Sequence, residues 1–255
     1  MRILLTNDDG YDAPGIQALA DHLSKNHEIY IVAPDRERSA TGHAITIHSP
    51  LRVEVINESR GIKGWKVNGT PTDCIKMAYE ALLNSDKPEL VLSGINEGPN
   101  LGTDILYSGT VAAAFEGWLY GCPAFAVSLY EGKRRAYHTA AEFIEQLIYK
   151  LSEYRLLQEN PLLNINFPEG FQETKGVKVT ELGLRRYENI FEKRTDPRGK
   201  SYYWLAGDVV DDHENENSDI LAVKTGWVSV TPLKINLTDY DLGERLKETK
   251  LDDCL

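Results

Sequence analysis

Short apolar runs alternate with segments of helical periodicity up to about residue 170. Near-continuous apolar runs predict buried strands at Arg2–Thr6, Glu28–Ala33, Glu89–Ile95, Pro123–Leu129 and Leu162–Phe167. Apolar residues at helical spacing predict helices at Pro14–Ser24, Thr70–Leu82, Thr110–Tyr120 and Tyr137–Leu151. Strands that are apolar on both faces and alternate with helices are typical of a parallel sheet covered on both sides. The pattern therefore predicts an α/β fold with a doubly wound, mostly parallel sheet.

Between the second and third of these strands the pattern is less regular. Ala44–Ile47 and Arg52–Ile56 are interpreted as shorter strands that form a hairpin with Trp65–Asn68. The start of the next helix is better marked, because Thr70–Asp73 combines a capping threonine, a first-turn proline and an acidic residue that can close a capping box.

The character of the chain changes after about residue 170. Charged runs, the aromatic segment Tyr202–Trp204 and the acidic stretch Asp208–Asp219 follow one another, and they predict extended hairpins. A strand at Trp227–Pro232 and a helix at Tyr240–Lys250 are expected near the end. We therefore expect residues 1–170 to form the core of the protein. Residues 171–255 are expected to form a hairpin-containing extension for subunit contacts, which returns to the core with the terminal helix.

Composition narrows the classes of function. The chain has 255 residues, 42% of them hydrophobic, and a formal net charge of -11. Such an acidic protein is not expected to bind nucleic-acid polymers through phosphate neutralisation. No apolar run approaches the ~18 residues that a membrane span needs. An odd number of cysteines, three, and an N-terminus that is interpreted as a strand favour a reducing, cytoplasmic location without membrane association.

Two adjacent carboxylates, Asp8 and Asp9, follow the first predicted strand directly. In a doubly wound sheet, ligands bind at the carboxyl ends of the strands. The pair can be a simple Asp-Gly turn with solvated carboxylates. It can also bind Mg²⁺ or Mn²⁺, since these hard cations prefer oxygen ligands and would remove the repulsion between the two anions.

Three further segments carry polar groups near predicted strand ends. Ser39 can offer a hydroxyl oxygen to the same metal or be an ordinary surface residue, and His43 can be structural or catalytic. Asn96 and Asn100 are neutral oxygen donors or turn formers. The segment Ser108–Thr110 can cap the next helix, and its free N–H groups can also bind a phosphate.

The acidic segment DVVDDHENENSD at 208–219, which includes His213, offers many oxygen atoms but lacks the glycine and the closing glutamate of a calcium loop. We interpret it as a solvated acidic loop.

Other enzyme classes fit less well. A haloacid-dehalogenase-like phosphatase needs an Asp-x-Asp motif, whereas the carboxylates here are adjacent. A dinucleotide-dependent oxidoreductase needs a glycine-rich turn after the first strand, which Asn7–Gly10 does not provide. A protein that binds metal and nucleotide as a sensor, without turnover, remains an alternative.

Five segments in the first half of the chain resemble the survival protein E family, the SurE-type 5'-nucleotidases. They are ILLTNDDGYDAPGI, APDRERSATGHAIT, GTPTDC, SGINEGPNLG and YSGTVAAAFEG, in that order. The resemblance implies a Rossmann-like core and a homodimer or homotetramer that exchanges C-terminal elements. It also implies metal-dependent hydrolysis of nucleoside 5'- and 3'-monophosphates, with activity on short-chain polyphosphate.

The resemblance also implies roles for particular residues. One divalent cation per subunit, Mg²⁺ or Mn²⁺, is expected on Asp8, Asp9, Ser39 and Asn96. Asp8 and Asp9 are expected to be catalytic, and the phosphate is expected at Asn100, Ser108, Gly109 and Thr110. The sequence leaves the general acid open between Asp9, a bound water and His43.

Overall fold

The computed structural model describes residues 1–57, 62–83, 86–131, 134–170, 173–188, 190–211, 215–249 and 251. The strands are β1 (Arg2–Thr6), β2 (Glu28–Pro34), β3 (Val53–Asn57), β4 (Lys63–Val67), β5 (Leu90–Glu97), β6 (Ala124–Leu129), β7 (Leu162–Phe167), β8 (Val177–Val179), β9 (Arg185–Glu188), β10 (Phe191–Thr195), β11 (Ser201–Leu205), β12 (Asp208–Asp211) and β13 (Val228–Pro232). The α-helices are α1 (Pro14–Leu23), α2 (Pro71–Met77), α3 (Gly109–Leu119), α4 (Arg134–Glu153), α5 (Asp219–Lys224) and α6 (Tyr240–Lys247). A 3-10 helix spans Gly102–Leu106, another spans Leu156–Glu159, and a π-helical turn at Ala78–Leu82 continues α2.

A nine-stranded sheet with the order β3-β4-β2-β1-β5-β6-β7-β13-β8 forms the centre of the molecule. The six neighbouring strands β4, β2, β1, β5, β6 and β7 are mutually parallel. The antiparallel pairs are β3 with β4 and β7 with β13. This confirms the predicted α/β class with a mostly parallel sheet. β2 lies on one side of β1 and β5 on the other, so the strand order reverses at β1.

Helices cover both faces of the sheet, and each face has its own apolar core. α1 and α4 pack on one face, where Ile3, Leu5 and Phe125 are fully buried. α2 and α3 pack on the other face, over alternate residues of the same strands such as Leu4 and Val91. Burial on both faces explains why the strands are continuously apolar in sequence.

The helix starts follow the expected capping chemistry. The hydroxyl of Thr70 accepts a hydrogen bond from the N–H of Asp73 at 3.1 Å, and the Asp73 carboxylate accepts one from the N–H of Thr70 at 2.9 Å. The predicted capping box is therefore confirmed. The hydroxyl of Ser108 caps α3 by accepting a hydrogen bond from the N–H of Val111 at 3.1 Å.

The predicted strand at Ala44–Ile47 is wrong. These residues form an irregular segment outside the sheet, and Ile45 and Ile47 are 49% and 71% exposed. Their backbone groups bond to the start of α2 instead, because the N–H of Thr46 donates to the Asp73 carboxylate and the carbonyl of Ala44 accepts from the Thr70 hydroxyl. The hairpin partner of β4 is β3, close to the second predicted strand.

The interpretation of 208–219 as a solvated acidic loop is wrong at both ends of the segment, although Glu216 and Asn217 between them do lie in an exposed turn. Asp208–Asp211 forms β12, and Asp219 is the fully buried first residue of α5. His213 lies outside the described residues.

The C-terminal part contributes to the main sheet and also extends away from it. β13 lies between β7 and β8 in the sheet, whereas β9 pairs with β12 and β10 with β11 in two separate antiparallel ribbons. α6 buries none of its side chains. Among the described helices, none combines the length and the apolar character that crossing a membrane requires.

Candidate metal and phosphate site

The reversal of strand order at β1 creates a crevice at the carboxyl ends of β1 and β5. Asp8 and Asp9 follow β1, and Asn96 is the second-to-last residue of β5. Because their following helices pack on opposite faces of the sheet, the loops after these two strands diverge and leave space between them. This is the place where ligands bind in open α/β sheets.

Asp8 lies at the N-terminus of α3. The hydroxyl of Thr110 donates a hydrogen bond to Asp8 Oδ1, and the backbone N–H groups of Gly109 and Thr110 also face this carboxylate. Burial raises the pKa of the Asp8 carboxyl above its ordinary value, although these hydrogen bonds oppose the shift. The structure thus turns the positive end of α3 toward a carboxylate of the chain itself.

Asp9 lies in a more open but strongly acidic setting. Burial, followed by repulsion from Asp8, raises the pKa of Asp9 to about 7. The charges of Glu37 and Glu97 raise the pKa of Asp9 further, and the N–H of Glu97, which donates to Asp9 Oδ2 at 3.3 Å, opposes them. Within the described residues no Lys or Arg side chain forms an ion pair with Asp8 or Asp9. Two neighbouring acidic groups with raised pKa values thus lie at this strand end without a cationic partner among the described residues.

The residues next to Ser39 and Asn96 in the chain form hydrogen bonds with Asp8 and Asp9. The N–H of Arg38, next to Ser39, donates to the carbonyl of Asp8 at 2.7 Å. The amide nitrogen of Asn96 donates to the carbonyl of Gly98 at 2.8 Å, so the amide oxygen is the end of the side chain left for other contacts. The hydroxyl of Ser39 donates to Glu37 at 2.7 Å and keeps its lone pairs.

The contact between Asp8 and α3 leaves no space for a side chain at Gly109. A Cβ at this position would lie 2.9 Å from the Cβ of Asp8 and 3.0 Å from its Oδ2. Ser108 and Thr110 are buried beside it, with 6% and 0% of their surfaces exposed. The sequence therefore needs glycine here, because only glycine lets the carboxylate approach the start of the helix.

Asn100 belongs to a buried polar cluster at the ends of β6 and β7. Its side-chain nitrogen donates to the hydroxyl of Ser128 at 2.8 Å, and its N–H donates to the amide oxygen of Asn166 at 2.8 Å. Its carbonyl accepts from the side chains of Asn164 and Asn166. One N–H of the Asn100 amide is thus committed within the protein.

His43 pairs with a buried glutamate of α3. Its Nε2 lies 2.9 Å from Glu116 Oε2, and the ammonium of Lys76 lies 2.7 Å from Glu116 Oε1. Burial alone would raise the pKa of Glu116, but the hydrogen bonds from His43 and Lys76 outweigh it and lower that pKa. Glu116 therefore ties the loop that carries Ser39 to both α2 and α3.

Sequence reasoning missed several residues that support the site. Arg185 and Asp219, from the C-terminal part, contact the segment between Asn100 and Ser108. Ser218 before an apolar run was the available signal for α5, and the alternating asparagines in LLNINF were the signal for the buried polar cluster. Contacts across 80 or more residues had no signal in the sequence.

The side chains that could bind a metal ion at this site are of few chemical types. Among the residues that the structure describes, no group of three or more His, Cys, Asp and Glu side chains is arranged to hold a metal ion. A cation at this edge of the sheet would therefore rely on two carboxylates together with neutral oxygen donors, which suits Mg²⁺ or Mn²⁺ better than zinc.

Known proteins resemble the chain over nearly its whole length. The family model described as survival protein SurE matches residues 3–189. A protein named 5'-nucleotidase SurE from Pelotomaculum thermopropionicum is 54% identical over 251 residues, which is 97% of this chain and 95% of that protein. Another of the same name from Desulforudis audaxviator is 51% identical over 256 residues, covering 99% of this chain and 98% of that protein.

A solved structure agrees with the fold. The crystal structure of the SurE protein from Aquifex aeolicus superposes with a TM-score of 0.82 at 40% sequence identity. The match covers 97% of this chain and 99% of that chain.

Proposed function

Since this chain belongs to the survival protein SurE family, we propose that it is a metal-dependent 5'-nucleotidase that hydrolyses nucleoside 5'-monophosphates to nucleoside and phosphate. The observation that supports this most directly is the contact between Asp8 and Thr110 at the start of α3. In this contact a candidate metal ligand, Asp8, bonds to a candidate phosphate-binding residue, Thr110. Nucleoside 3'-monophosphates and short-chain polyphosphate are further substrates that we propose for the same site.

The residues at the end of β1 fit a hard divalent cation. The pKa values of both carboxylates are raised, by burial first and, for Asp9, by mutual repulsion, so a cation placed between them would favour their charged forms. We propose Asp8, Asp9, Ser39 and Asn96 as the ligands of one Mg²⁺ or Mn²⁺ per subunit. When bound, the cation supplies Lewis acidity for transfer of the phosphoryl group to water.

The protein itself positions the phosphate. We propose that Ser108, Gly109, Thr110 and Asn100 contact it from the start of α3 and the buried polar cluster. Because the N–H groups of Gly109 and Thr110 already face Asp8, a phosphate oxygen would approach next to that carboxylate. Charge neutralisation at this point and fixed orientation of the phosphate would supply most of the rate acceleration.

Phosphate release from AMP tests the proposal. The wild-type protein is expected to release phosphate with Mn²⁺ present and to stop when the metal is chelated. If AMP and Mn²⁺ bind but no phosphate appears, the alternative of a non-catalytic sensor is correct. A panel of 5'- and 3'-nucleotides and tripolyphosphate, under the same conditions, defines the substrate range.

The C-terminal part suggests how the chain assembles. The β10–β11 ribbon exposes Phe191, Tyr203, Trp204 and Leu205, which are 58% to 75% exposed. We propose that this ribbon lies in the interface of a homodimer or homotetramer, with residues 1–170 as the catalytic core and 171–255 as the extension. We also propose a cytoplasmic location, in keeping with the free, buried thiols of Cys74 and Cys122.

A further inference from the structure

A carboxylate of the C-terminal part holds the loop that leads to α3. Asp219 is fully buried, and its Oδ2 accepts a hydrogen bond from the N–H of Gly102 at 2.8 Å. Its Oδ1 accepts another from the N–H of Gly183, also at 2.8 Å. One side chain thus joins two backbone segments that are far apart in sequence.

The two segments are in direct backbone contact at this point. Gly102 has a φ of +54°, and a Cβ there would lie 2.6 Å from the carbonyl oxygen of Gly183. Glycine at 102 permits both the left-handed conformation and the close approach. The Asp219 carboxylate therefore satisfies N–H groups that no water could reach without separating the segments.

Arg185 forms a second connection to the same loop. Its Nη1 lies 3.0 Å from Asp104 Oδ2, its carbonyl accepts from the hydroxyl of Thr103, and the hydroxyl of Tyr187 lies 2.8 Å from the Asp104 carboxylate. Asp211 fixes the guanidinium from the other side, with its Oδ1 2.7 Å from Nε. The C-terminal extension and the loop between Asn100 and Ser108 are thus joined at Gly102, Thr103 and Asp104.

These three residues lie between Asn100 and Ser108, the two ends of the proposed phosphate site. The buried polar cluster fixes the Asn100 end, and α3 fixes the Ser108 end. The middle is a single 3-10 turn, which has poor intrinsic stability. Its conformation therefore depends on what packs against it.

We propose that Asp219 is a positioning residue for hydrolysis, which fixes the Asn100–Ser108 loop so that both of its ends face the phosphate, with Arg185 in a supporting role. This inference rests on the proposed function. It makes Asp219 and Arg185 necessary for phosphate binding although neither is among the proposed phosphate contacts.

Isosteric replacement of Asp219 tests the proposal. Asp219→Asn places an amide donor opposite a backbone N–H, so the loop should shift. We expect the Kd of inorganic phosphate, measured by calorimetry in the presence of Mn²⁺, to rise by about 10- to 100-fold, as for other supporting residues of active sites. The KM for AMP should rise with it. The Kd of Mn²⁺ in the absence of phosphate should change by less than about 3-fold, because Asp8, Asp9 and Ser39 lie in other loops and Asn96 is held in β5.

A matched control separates positioning from general loss of stability. Glu145 is another buried carboxylate, which accepts from His22 and Asn26 between α1 and α4, away from the site. Glu145→Gln should lower the Tm but leave the Kd of phosphate unchanged. If it weakens phosphate binding as much as Asp219→Asn does at equal loss of Tm, the positioning role is refuted.

Milder variants keep the test valid if Asp219→Asn does not fold. Tyr187→Phe removes one hydroxyl from a side chain that is 43% exposed, and Arg185→Lys keeps the charge but loses the planar donors. Each should raise the Kd of phosphate by about 3-fold. Tyr187→Phe should do so with little change in Tm, whereas Arg185→Lys should also lower the Tm because it weakens the pair with the buried Asp211. Unchanged phosphate binding in a folded Asp219→Asn protein, or in both milder variants, would overturn the inference. Phosphate binding is measured without turnover, so an absence of AMP hydrolysis in the wild-type protein would count against the proposed function alone.

Discussion

The hydroxyl of Thr110 donates a hydrogen bond to Oδ1 of Asp8, and the two residues are 102 positions apart in the sequence. Asp8 lies in the loop after β1, whereas Thr110 lies in the first turn of α3. The bond joins the proposed metal site to the proposed phosphate site. A change in either residue is therefore expected to alter the binding of both the metal and the phosphate.

Removal of either proposed carboxylate ligand of the metal should abolish most of the activity. Asp8→Asn or Asp9→Asn should cut AMP turnover by at least ~100-fold and weaken Mn²⁺ binding, because a charged ligand is lost. The fold should survive, since each change is nearly isosteric and removes charge from an anionic pair. Turnover assays across a Mn²⁺ titration check this, and wild-type activity at saturating metal in either variant would refute the metal site.

A methyl group at Gly109 should disturb both sites at once. Gly109→Ala places a Cβ 2.9 Å from the Cβ of Asp8, so the carboxylate must move away from the helix. Both Mn²⁺ and phosphate should bind more weakly, by about 10-fold or more. Ser108→Ala removes the cap on Val111 and one proposed phosphate contact, so it should cost about 1 kcal/mol of stability and weaken phosphate binding without weakening Mn²⁺ binding.

The paired measurement for these two variants is calorimetric titration with each ligand. If Gly109→Ala weakens phosphate binding but not Mn²⁺ binding, the contact with Asp8 is not what holds the metal ligand in place.

The buried Glu116 should matter for metal binding through the loop that carries Ser39. Glu116→Gln weakens the bonds to His43 and Lys76 and should cost about 2 kcal/mol, less than for a fully buried pair because both partners keep contact with solvent. The freed loop should lower the affinity for Mn²⁺ several-fold. Lys76→Met, which leaves the bond between His43 and Glu116 in place, should lower the Tm without this effect on Mn²⁺.

The ion pairs of Asp211 should make stability depend on pH in the acid range. Burial alone would raise the pKa of Asp211, but Arg185 and Lys224 outweigh it, so the pKa in the folded protein lies below its ordinary value. The stabilisation is therefore complete above the unfolded pKa of about 4 and is lost as the pH falls through the folded value. Asp211→Asn should cost about 3 kcal/mol at pH 7.

Urea unfolding of the wild type and the Asp211→Asn variant at several pH values measures this. The difference between them should shrink below pH 4. A constant difference from pH 7 to pH 3 would show that Asp211 does not contribute through its charge.

The exposed β10–β11 ribbon should hold subunits together. Tyr203→Ser with Trp204→Ser should shift the oligomer toward the monomer, because aromatic side chains dominate the binding energy of interfaces. Both residues lie on the surface of one subunit, so its own fold should be retained. Sedimentation at micromolar concentration checks this, and a wild-type protein that sediments as a monomer of 28.7 kDa would exclude the proposed assembly.

The sequence by itself determined the buried strands β1, β2, β5, β6 and β7 and the places of the candidate site residues near their ends. Continuous apolar runs specify strands buried on both faces, and local capping chemistry specified the starts of α2 and α3. These signals are readable because they depend on neighbours within a few residues. The ligand and phosphate roles of the site residues came from the family resemblance and stay predictions.

Only the tertiary structure decided what surrounds those residues. Ala44–Ile47 has the composition of a strand, yet its backbone groups bond to the start of α2, so no sheet edge is used. Asp219 reads as one more acid in a polar stretch, yet it is fully buried because the N–H groups of Gly102 and Gly183 converge on it. A carboxylate and two amides from distant segments carry no common pattern in sequence. Their meeting depends on chain topology, which places the C-terminal part against the loop before α3.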